Sequence, residues 1–159
     1  MRRTAVRRRM ADEQIVSFLE GHHEGVLSTN GSDGYPYGVP VNYVYIDGRI
    51  FIHGGLKGEK IGNIVEDSHC CFTVMDSKGF EVTGDYACNV TTVYESVIVR
   101  GDATVIDDVE EKEKILRTLV TSVVSEKKDD PMPLQKVDST AVIRIDPVSV
   151  TGKTHQMMS

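Results

Sequence analysis

A tight turn predicted at Asp47-Gly48 constrains the fold of this chain more than any other feature. It separates two runs rich in valine, isoleucine and tyrosine, at 37–46 and 49–53. Asp-Gly favours a two-residue hairpin, because both positions of such a turn need positive φ. The sequence therefore predicts two antiparallel strands here. Pro40 lies in the first run and has no N–H for strand pairing, so we expect it at an edge position or a bulge.

Further strands are predicted at 25–29, 69–75, 91–105 and 140–150, with a bulge at Gly101. The segment 76–89 is predicted to be a long irregular loop. Because strands follow strands more often than they alternate with helices, we expect a mainly β, α+β fold. The fitting architecture is a six-stranded antiparallel barrel with helices packed outside it, not a parallel doubly wound sheet.

Three helices are predicted from apolar residues at helical spacing. The first starts at an Asp12 N-cap, and the longest starts at Asp107 or Asp108. Between them, a short helix would bury one stripe made of Ile61, Ile64 and Val65. The longest helix is predicted to face the core with a longer apolar stripe: Ile115, Leu116, Leu119, Val120, Val123 and Val124.

Length, charge and cysteine content limit the classes of function. The 159 residues suit one domain, 1–159, with a basic N-terminal tail at 1–10 and a C-terminal tail at 151–159. A net charge of −6 argues against a nucleic-acid partner, and no apolar run approaches a membrane span. Three cysteines indicate a reducing compartment, so we expect a cytoplasmic protein. The tail contains five arginines: Arg2, Arg3, Arg7, Arg8 and Arg9. We expect them to be solvated or to pair with acidic residues, with a nucleic-acid-binding arm as the alternative.

A glycine- and lysine-rich loop precedes the short helix. A helix N-terminus offers free N–H groups and a partial positive charge, which together suit a phosphate. Gly54, Gly55 and Gly58 allow close approach of the backbone, and Lys57 and Lys60 are spaced to reach one anion. The pattern is neither a P-loop nor a dinucleotide fingerprint. A plain turn with solvated lysines therefore remains open on spacing alone.

Other polar residues point to no metal site. His22 and His23 are adjacent, and no cluster with metal-ligand spacing surrounds them. Cys70 and Cys71 are neighbours on a predicted strand, so their side chains should point to opposite faces. We expect one of them in the core and the other near a cofactor or solvent, with no disulfide to Cys88.

Four blocks in order carry a family resemblance over nearly the whole chain. They are Gly34-Tyr-Pro-Tyr-Gly-Val-Pro-Val-Asn-Tyr-Val-Tyr45, Phe51-Ile-His53, Leu56-Lys-Gly-Glu-Lys60 and Tyr94-Glu-Ser-Val-Ile-Val-Arg-Gly101. Together they resemble the nitroimidazole-resistance branch of the pyridoxamine-phosphate-oxidase-like flavoproteins. The resemblance implies a split β-barrel and a homodimer that binds FMN at the subunit interface.

The resemblance also implies roles for individual residues. Strand residues 39–42 would lie along the flavin ring, while the lysine-glycine loop would hold the phosphate and His53 would deliver a proton as the catalytic residue. The implied cofactor-binding set is Val39, Pro40, Val41, Asn42, His53, Gly54, Lys57, Gly58, Lys60, Ser96 and Val97.

Three functions follow as hypotheses. The first is an FMN-dependent reductase of small flat acceptors such as nitroaromatics or quinones. The second is a flavin- or haem-binding module without turnover, in which His53 could be an axial haem ligand. The third is a structural dimer with a vestigial pocket. The arginine-rich, tryptophan-containing C-terminus of pyridoxine-phosphate oxidases is absent from the sequence, which argues against vitamin B6 oxidation.

Overall fold

The structure, a computed structural model, describes residues 7–156. Seven strands are present: β1 (Arg7–Arg9), β2 (Glu24–Asn30), β3 (Pro36–Ile46), β4 (Arg49–Gly55), β5 (His69–Val82), β6 (Val90–Val105) and β7 (Thr140–His155). The helices are α1 (Asp12–Glu20), α2 (Glu59–Glu66), α3 (Val109–Val123) and α4 (Leu134–Asp138), with a 3₁₀ turn at Ser125–Lys127.

Six antiparallel strands close into a barrel, as predicted. Their order is β7-β4-β3-β2-β5-β6, and β6 pairs back onto β7. The seventh strand, β1, pairs with the far end of β7. Residues 7–9 and 151–155 were assigned to tails from the sequence, and that assignment is wrong because they form this strand pair. Arg8 and Arg9 are exposed there, whereas Arg2 and Arg3 lie outside the described residues.

The Asp47-Gly48 turn and the edge position of Pro40 are both confirmed. Asp47 and Gly48 have φ of 48° and 78°, as a tight hairpin requires. β3 pairs with β4 only from Tyr43 to Ile46, and Pro40 lies before that stretch, opposite Val26 of β2. The side of β3 that faces away from β2 is therefore free of partners at Pro40.

The apolar residues form two cores. The barrel interior contains Leu27, Ile52 and Phe72, and α1 closes one end of it with Phe18 and Leu19. The second core lies outside the barrel, under α3 and α4: Val44, Phe51, Ile106, Ile115, Leu116, Leu119, Val137 and Val142. Burial of each such side chain contributes about 1.5–3 kcal/mol, so the helices hold to the sheet chiefly through this second core.

The predicted bulge at Gly101 is confirmed by a shift in the β6–β7 register between Arg100 and Gly101. A Cβ at Gly101 would collide with the backbone oxygen of Asp146 and lie 3.0 Å from Cα of Pro147. Only glycine lets the two strands approach this closely.

The predicted irregular loop at 76–89 is mostly wrong. β5 continues to Val82 and β6 begins at Val90, so only 83–89 is a loop. A register shift between Ser77 and Gly79 allows the ladder to continue, because Gly79 adopts a φ of 99°.

The three predicted helices are all present, but some of their predicted details are wrong. α1 begins one residue earlier than expected, because Ala11 is the N-cap and its N–H donates to Oε1 of Gln14 at 2.8 Å. In α2, Val65 is 75% exposed, while Asn63 is buried and donates to Oγ1 of Thr29 at 3.0 Å. The Asp108 cap of α3 is confirmed.

Within residues 7–156, none of the helices combines the length and apolar character needed to cross a bilayer.

Candidate functional site

The site predicted from sequence lies where β3 and β4 separate. Their last paired residues are Tyr43 and Ile52. Beyond them, β3 pairs only with β2, whereas the end of β4 pairs only with β7. Asn42 and His53 are the first residues past the split, and both side chains are exposed. The split therefore offers two polar side chains beside backbone without strand partners.

Side chains of the predicted strand residues alternate between two faces. Val39 and Val41 pack against the barrel core, and Val97 is fully buried in it. Pro40 and Asn42 point to the outer face and are exposed. The barrel interior is filled by side chains, so a ligand at 39–42 would meet the outer face and the backbone.

The lysine-glycine loop places one lysine close to the end of β4. A Cβ added to Gly54 would lie 3.2 Å from both Cε and Nζ of Lys60, so this side chain folds back over the strand. Lys57 is exposed. The structure therefore brings Lys60 and Gly54 together, and Lys60 lies at the start of α2.

The start of α2 has free donor groups. Gly58 is its N-cap with a φ of 135°, a conformation that favours glycine, and it offers no capping side chain. Among the described residues, the N–H groups of Glu59 and Lys60 have no acceptor. Two unpaired N–H groups therefore lie at the helix N-terminus to which Lys60 belongs, and this combination can bind an anion.

Ser96 and Val97 lie elsewhere in the chain. β6 is separated from β3 by β2 and β5, which is about 14 Å at normal strand spacing. Ser96 is on the outer face, opposite Lys153 of β7. Val97 shares the barrel core with Val39 and Val41, but one chain alone does not bring Ser96 to the outer face at 39–42.

A cavity of about 190 Å³ lies between the split and α3. Asn42 and His53 border it, together with residues that sequence reasoning did not assign to a site: His23, Tyr43, Leu116, Leu119, Val120, Ser122 and Val123. The sequence did contain a signal for the α3 residues in this set. The apolar stripe of α3 extends past the residues that pack in the core. Ile115, Leu116 and Leu119 are buried as predicted. Placing the rest of the stripe in the core was wrong: Val120 is 38% exposed, Val123 61% and Val124 37%.

Two polar groups beside the barrel core are held neutral by burial. The pKa of the Tyr43 hydroxyl is raised above its ordinary value by burial, and this hydroxyl donates to the Leu19 carbonyl at 2.8 Å. Burial also raises the pKa of the Cys70 thiol to about 12. Cys70 is in the core and Cys71 is half-buried, as the predicted alternation required, and all three cysteines are free.

Larger grooves lie away from the split. One of about 910 Å³ is lined by residues of α3 and its N-cap alone, so no second element encloses it. Another, of about 490 Å³, crosses the outer face of β2, β5 and β6 near Ser28, Cys71 and Arg100. Neither groove is lined by Asn42, His53, Lys57 or Lys60.

The described residues contain no group of three or more side chains able to hold a metal ion. His22 instead contacts the Phe18 carbonyl at 2.7 Å and the Asp76 carboxylate at 3.3 Å.

Residues 11–154 match the sequence profile of a family described as pyridoxamine 5'-phosphate oxidase. That match covers most of the chain, including the split, the lysine-glycine loop and α3. No curated protein matches the sequence.

Solved structures share the fold at low sequence identity. A candidate 5-nitroimidazole antibiotic resistance protein from Bacteroides thetaiotaomicron is 23% identical with a TM-score of 0.77, covering 94% of this chain and 88% of its own. The flavocytochrome Anf3 from Azotobacter vinelandii is 20% identical with a TM-score of 0.81, covering 93% and 69%. The FAD and heme binding protein from Mycobacterium smegmatis is 15% identical with a TM-score of 0.82, covering 98% and 74%.

Proposed function

The chain belongs to the pyridoxamine 5'-phosphate oxidase family, and from this premise we propose that it is an FMN-dependent reductase of small, flat electron acceptors that works as a homodimer. The observation that carries the proposal is a group of residues beside the split, Gly54, Lys60 and the start of α2, which we call the anion cradle. The side chain of Lys60 lies against Gly54, and the N–H groups of Glu59 and Lys60 at the start of α2 are uncapped among the described residues.

These residues fit the terminal phosphate of FMN. A phosphate accepts several hydrogen bonds and carries negative charge, so it would satisfy the free N–H groups of Glu59 and Lys60. The Lys60 ammonium would offset part of its charge, and the exposed Lys57 ammonium would add to the positive potential. Because Gly54 has no Cβ, the Lys60 side chain can lie directly against it.

The outer face of β3 fits a flat ring. Its backbone lacks strand partners on one side from Pro36 to Asn42, and Pro40 offers an apolar surface there. The Asn42 carboxamide can both donate and accept hydrogen bonds, which matches the amide-like edge of a flavin. A mostly apolar slot with few oriented polar groups is typical of cofactor sites.

A second copy of the chain would complete the site. Ser96 is distant from 39–42 within one chain, although the resemblance assigns both to the cofactor. The outer face of the sheet exposes Val26, Met75 and Ile98, with Met75 59% exposed. Exposed apolar side chains grouped on one face are typical of protein–protein interfaces. Two copies joined through this face could place Ser96 of one beside the split of the other.

The chemistry would be divided between the cofactor and the chain. When bound, FMN would accept a hydride from NADH or NADPH and supply two electrons to the acceptor. A nitro group that gains two electrons and two protons becomes a nitroso group and water. His53 is exposed at the split, so it could donate one of these protons and regain it from solvent.

A second candidate function is a flavin- or haem-binding module without turnover. It is favoured by the exposed imidazole of His53, which has no hydrogen-bond partner among the described residues and could ligate a haem iron. Two structural neighbours with this fold are a flavocytochrome and an FAD and heme binding protein. We propose that the protein performs either function in the cytoplasm.

An absorption spectrum separates the two candidates. The purified protein is reconstituted with FMN or with haem, and unbound cofactor is removed. We expect flavin maxima after reconstitution with FMN, and anaerobic bleaching by NADH or NADPH that is reversed by a nitroimidazole. A Soret band with no flavin retention would overturn the reductase proposal. Flavin retention without bleaching would favour the binding module.

A further inference from the structure

We propose that the cavity between α3 and the split binds an uncharged single-ring compound with a nitro or carbonyl oxygen, and that His23 and Val120 determine its selectivity. The proposal rests on the proposed function only for the role of this compound as electron acceptor. Binding itself requires nothing more than the cavity.

The volume of the cavity limits the ligand to one ring. It measures about 190 Å³, whereas sites for drug-sized ligands measure about 300–1,000 Å³. A flavin does not fit in it, so the cavity is a separate compartment that shares Asn42 and His53 with the cofactor residues. Fused two-ring compounds should be excluded unless α3 moves.

The lining of the cavity selects an uncharged ligand. None of its described lining residues is an aspartate, glutamate, lysine or arginine. Burial of an unpaired charge is unfavourable, because the charge loses its hydration and gains no counter-charge. Phosphorylated compounds such as pyridoxine 5'-phosphate should therefore not enter.

The His23 side chain explains why the ligand should carry an oxygen substituent. Its backbone oxygen accepts from the Tyr43 N–H at 2.8 Å, which fixes it beside the cavity. Its Nδ1 is shielded from solvent and has no hydrogen-bond partner among residues 7–156. A buried polar atom without a partner is unfavourable, so a ligand oxygen that accepts a hydrogen bond from this imidazole would be bound preferentially.

The exposed end of the α3 stripe supplies the apolar wall. Val120 and Val123 border the cavity together with Asn42 and His53, the first residues past the point where β3 and β4 separate. An apolar ring placed there would bury both valines. The unpacked half of the stripe and the split are thus two sides of one compartment.

Three probes of matched chemistry test the proposal by NMR on the flavin-free protein with labelled valine and leucine methyl groups. Nitrobenzene is the uncharged single ring, benzoate is its charged counterpart and 2-nitronaphthalene has two rings. We expect nitrobenzene to shift the methyl signals of Leu119, Val120 and Val123, and the other two probes to bind at least tenfold more weakly. Equal binding of all three, or shifts confined to other methyl groups, would overturn the proposal.

Two valines on the same helix give a matched pair of variants. Val120→Phe fills the cavity, while Val109→Phe adds the same ring at the other end of α3, where valine is 36% exposed. We expect Val120→Phe to lower nitrobenzene affinity at least tenfold and Val109→Phe to leave it within twofold. His23→Leu should weaken nitrobenzene more than toluene, which lacks the oxygen. If Val120→Phe instead alters subunit association and leaves nitrobenzene affinity unchanged, the valines form a protein contact and the proposal fails.

FMN affinity is measured separately on the wild-type protein and on the same variants. In the wild-type protein, normal FMN binding with no nitrobenzene binding refutes the cavity proposal alone. Nitrobenzene binding without FMN binding refutes the proposed function and leaves the cavity as a binding site.

Discussion

Lys60 folds back onto the end of β4, so that its Nζ lies 3.2 Å from the point where a Cβ of Gly54 would be. The close approach of the lysine therefore depends on the missing side chain of a residue six places earlier. This relationship joins the lysine-glycine loop to the split, and it makes Gly54 part of the anion cradle without any contact of its own to a ligand.

The Gly54→Ala substitution is predicted to weaken FMN binding about tenfold, or about 1.4 kcal/mol. The added Cβ would lie 3.2 Å from Cε and Nζ of Lys60, so the end of this side chain would have to shift by a few tenths of an ångström. Gly55→Ala is the matched control, because its Cβ would meet only the Lys57 carbonyl oxygen at an ordinary 3.6 Å. Fluorescence titration of FMN measures both variants. Equal affinity in the two variants would show that the position of Lys60 does not matter for the phosphate.

Much of the fold could be predicted because it depends on local signals. The Asp47-Gly48 turn, the bulge at Gly101 and the Asp108 cap each need particular residues at particular positions. The extent of β5 could not be predicted, because Gly79 reads as a loop residue in sequence and serves here to carry a bulged ladder onward. The strand at 151–155 also depends on a distant partner, β1.

The site was predicted only in part, for a physical reason. Asn42, His53 and Lys60 lie in one short stretch of sequence, so they could be assigned to one site without knowledge of the fold. Val120 and Val123 reach the same place from another element, and an apolar helix face gives no sign of whether sheet or cavity lies beneath it. Periodicity predicts which residues share a face, but not what that face meets.

The His53→Ala substitution is predicted to lower turnover about 100-fold, the scale of a general acid, with little effect on folding. His53 is exposed and makes no described hydrogen bond, so its loss should change the free energy of unfolding by less than about 0.5 kcal/mol. Anaerobic nitroimidazole reduction and urea unfolding measure the two effects. His69→Gln, at a surface histidine away from the split, is the control for turnover. A parallel fall in stability and turnover would assign His53 a structural role.

The Asp67–His69 pair is predicted to stabilise the fold most at mildly acidic pH. Hydrogen bonds from Asn30 and from the backbone and ring of His69 lower the pKa of Asp67 to about 2, and the Asp67 carboxylate raises the pKa of His69. The aspartate contribution is present above its ordinary pKa of about 3.9 and is lost as pH falls towards 2. The histidine contribution is present below about 6.5 and is lost as pH rises through the folded value.

Urea unfolding of wild type and His69→Gln at pH 5.5 and pH 8.5 tests this prediction. The variant should be less stable than wild type at pH 5.5, and the difference should shrink at pH 8.5. Both side chains are substantially exposed, so 0.5 M NaCl should shrink it as well. A difference that is the same at both pH values would exclude the ion pair as its cause.

The Gly101→Ala substitution is predicted to destabilise the protein by about 2–3 kcal/mol through overpacking. Its Cβ would meet the backbone of Asp146 and Pro147, and backbone cannot rotate away as a flexible side chain can. Gly62→Ala is the contrasting variant, since a Cβ at this exposed position in α2 meets nothing within 4 Å. Alanine there should stabilise the helix by about 0.5–1 kcal/mol. Equal unfolding free energies for the two variants would refute the assigned role of the bulge.

Mixing two inactive variants tests whether the cofactor site is shared between copies. Lys60→Glu should abolish phosphate binding, and Ser96→Tyr should block the outer face of β6 where Ser96 is half-buried. If each site takes Lys60 from one chain and Ser96 from the other, a mixed dimer has one doubly altered site and one intact site. Random mixing then restores about a quarter of the sites, because half of the dimers are mixed. FMN bound per chain is the measure, after the mixture is unfolded and refolded together. No recovery in a mixture that forms mixed dimers would place both residues in one chain's site, and the shared-site proposal would fail.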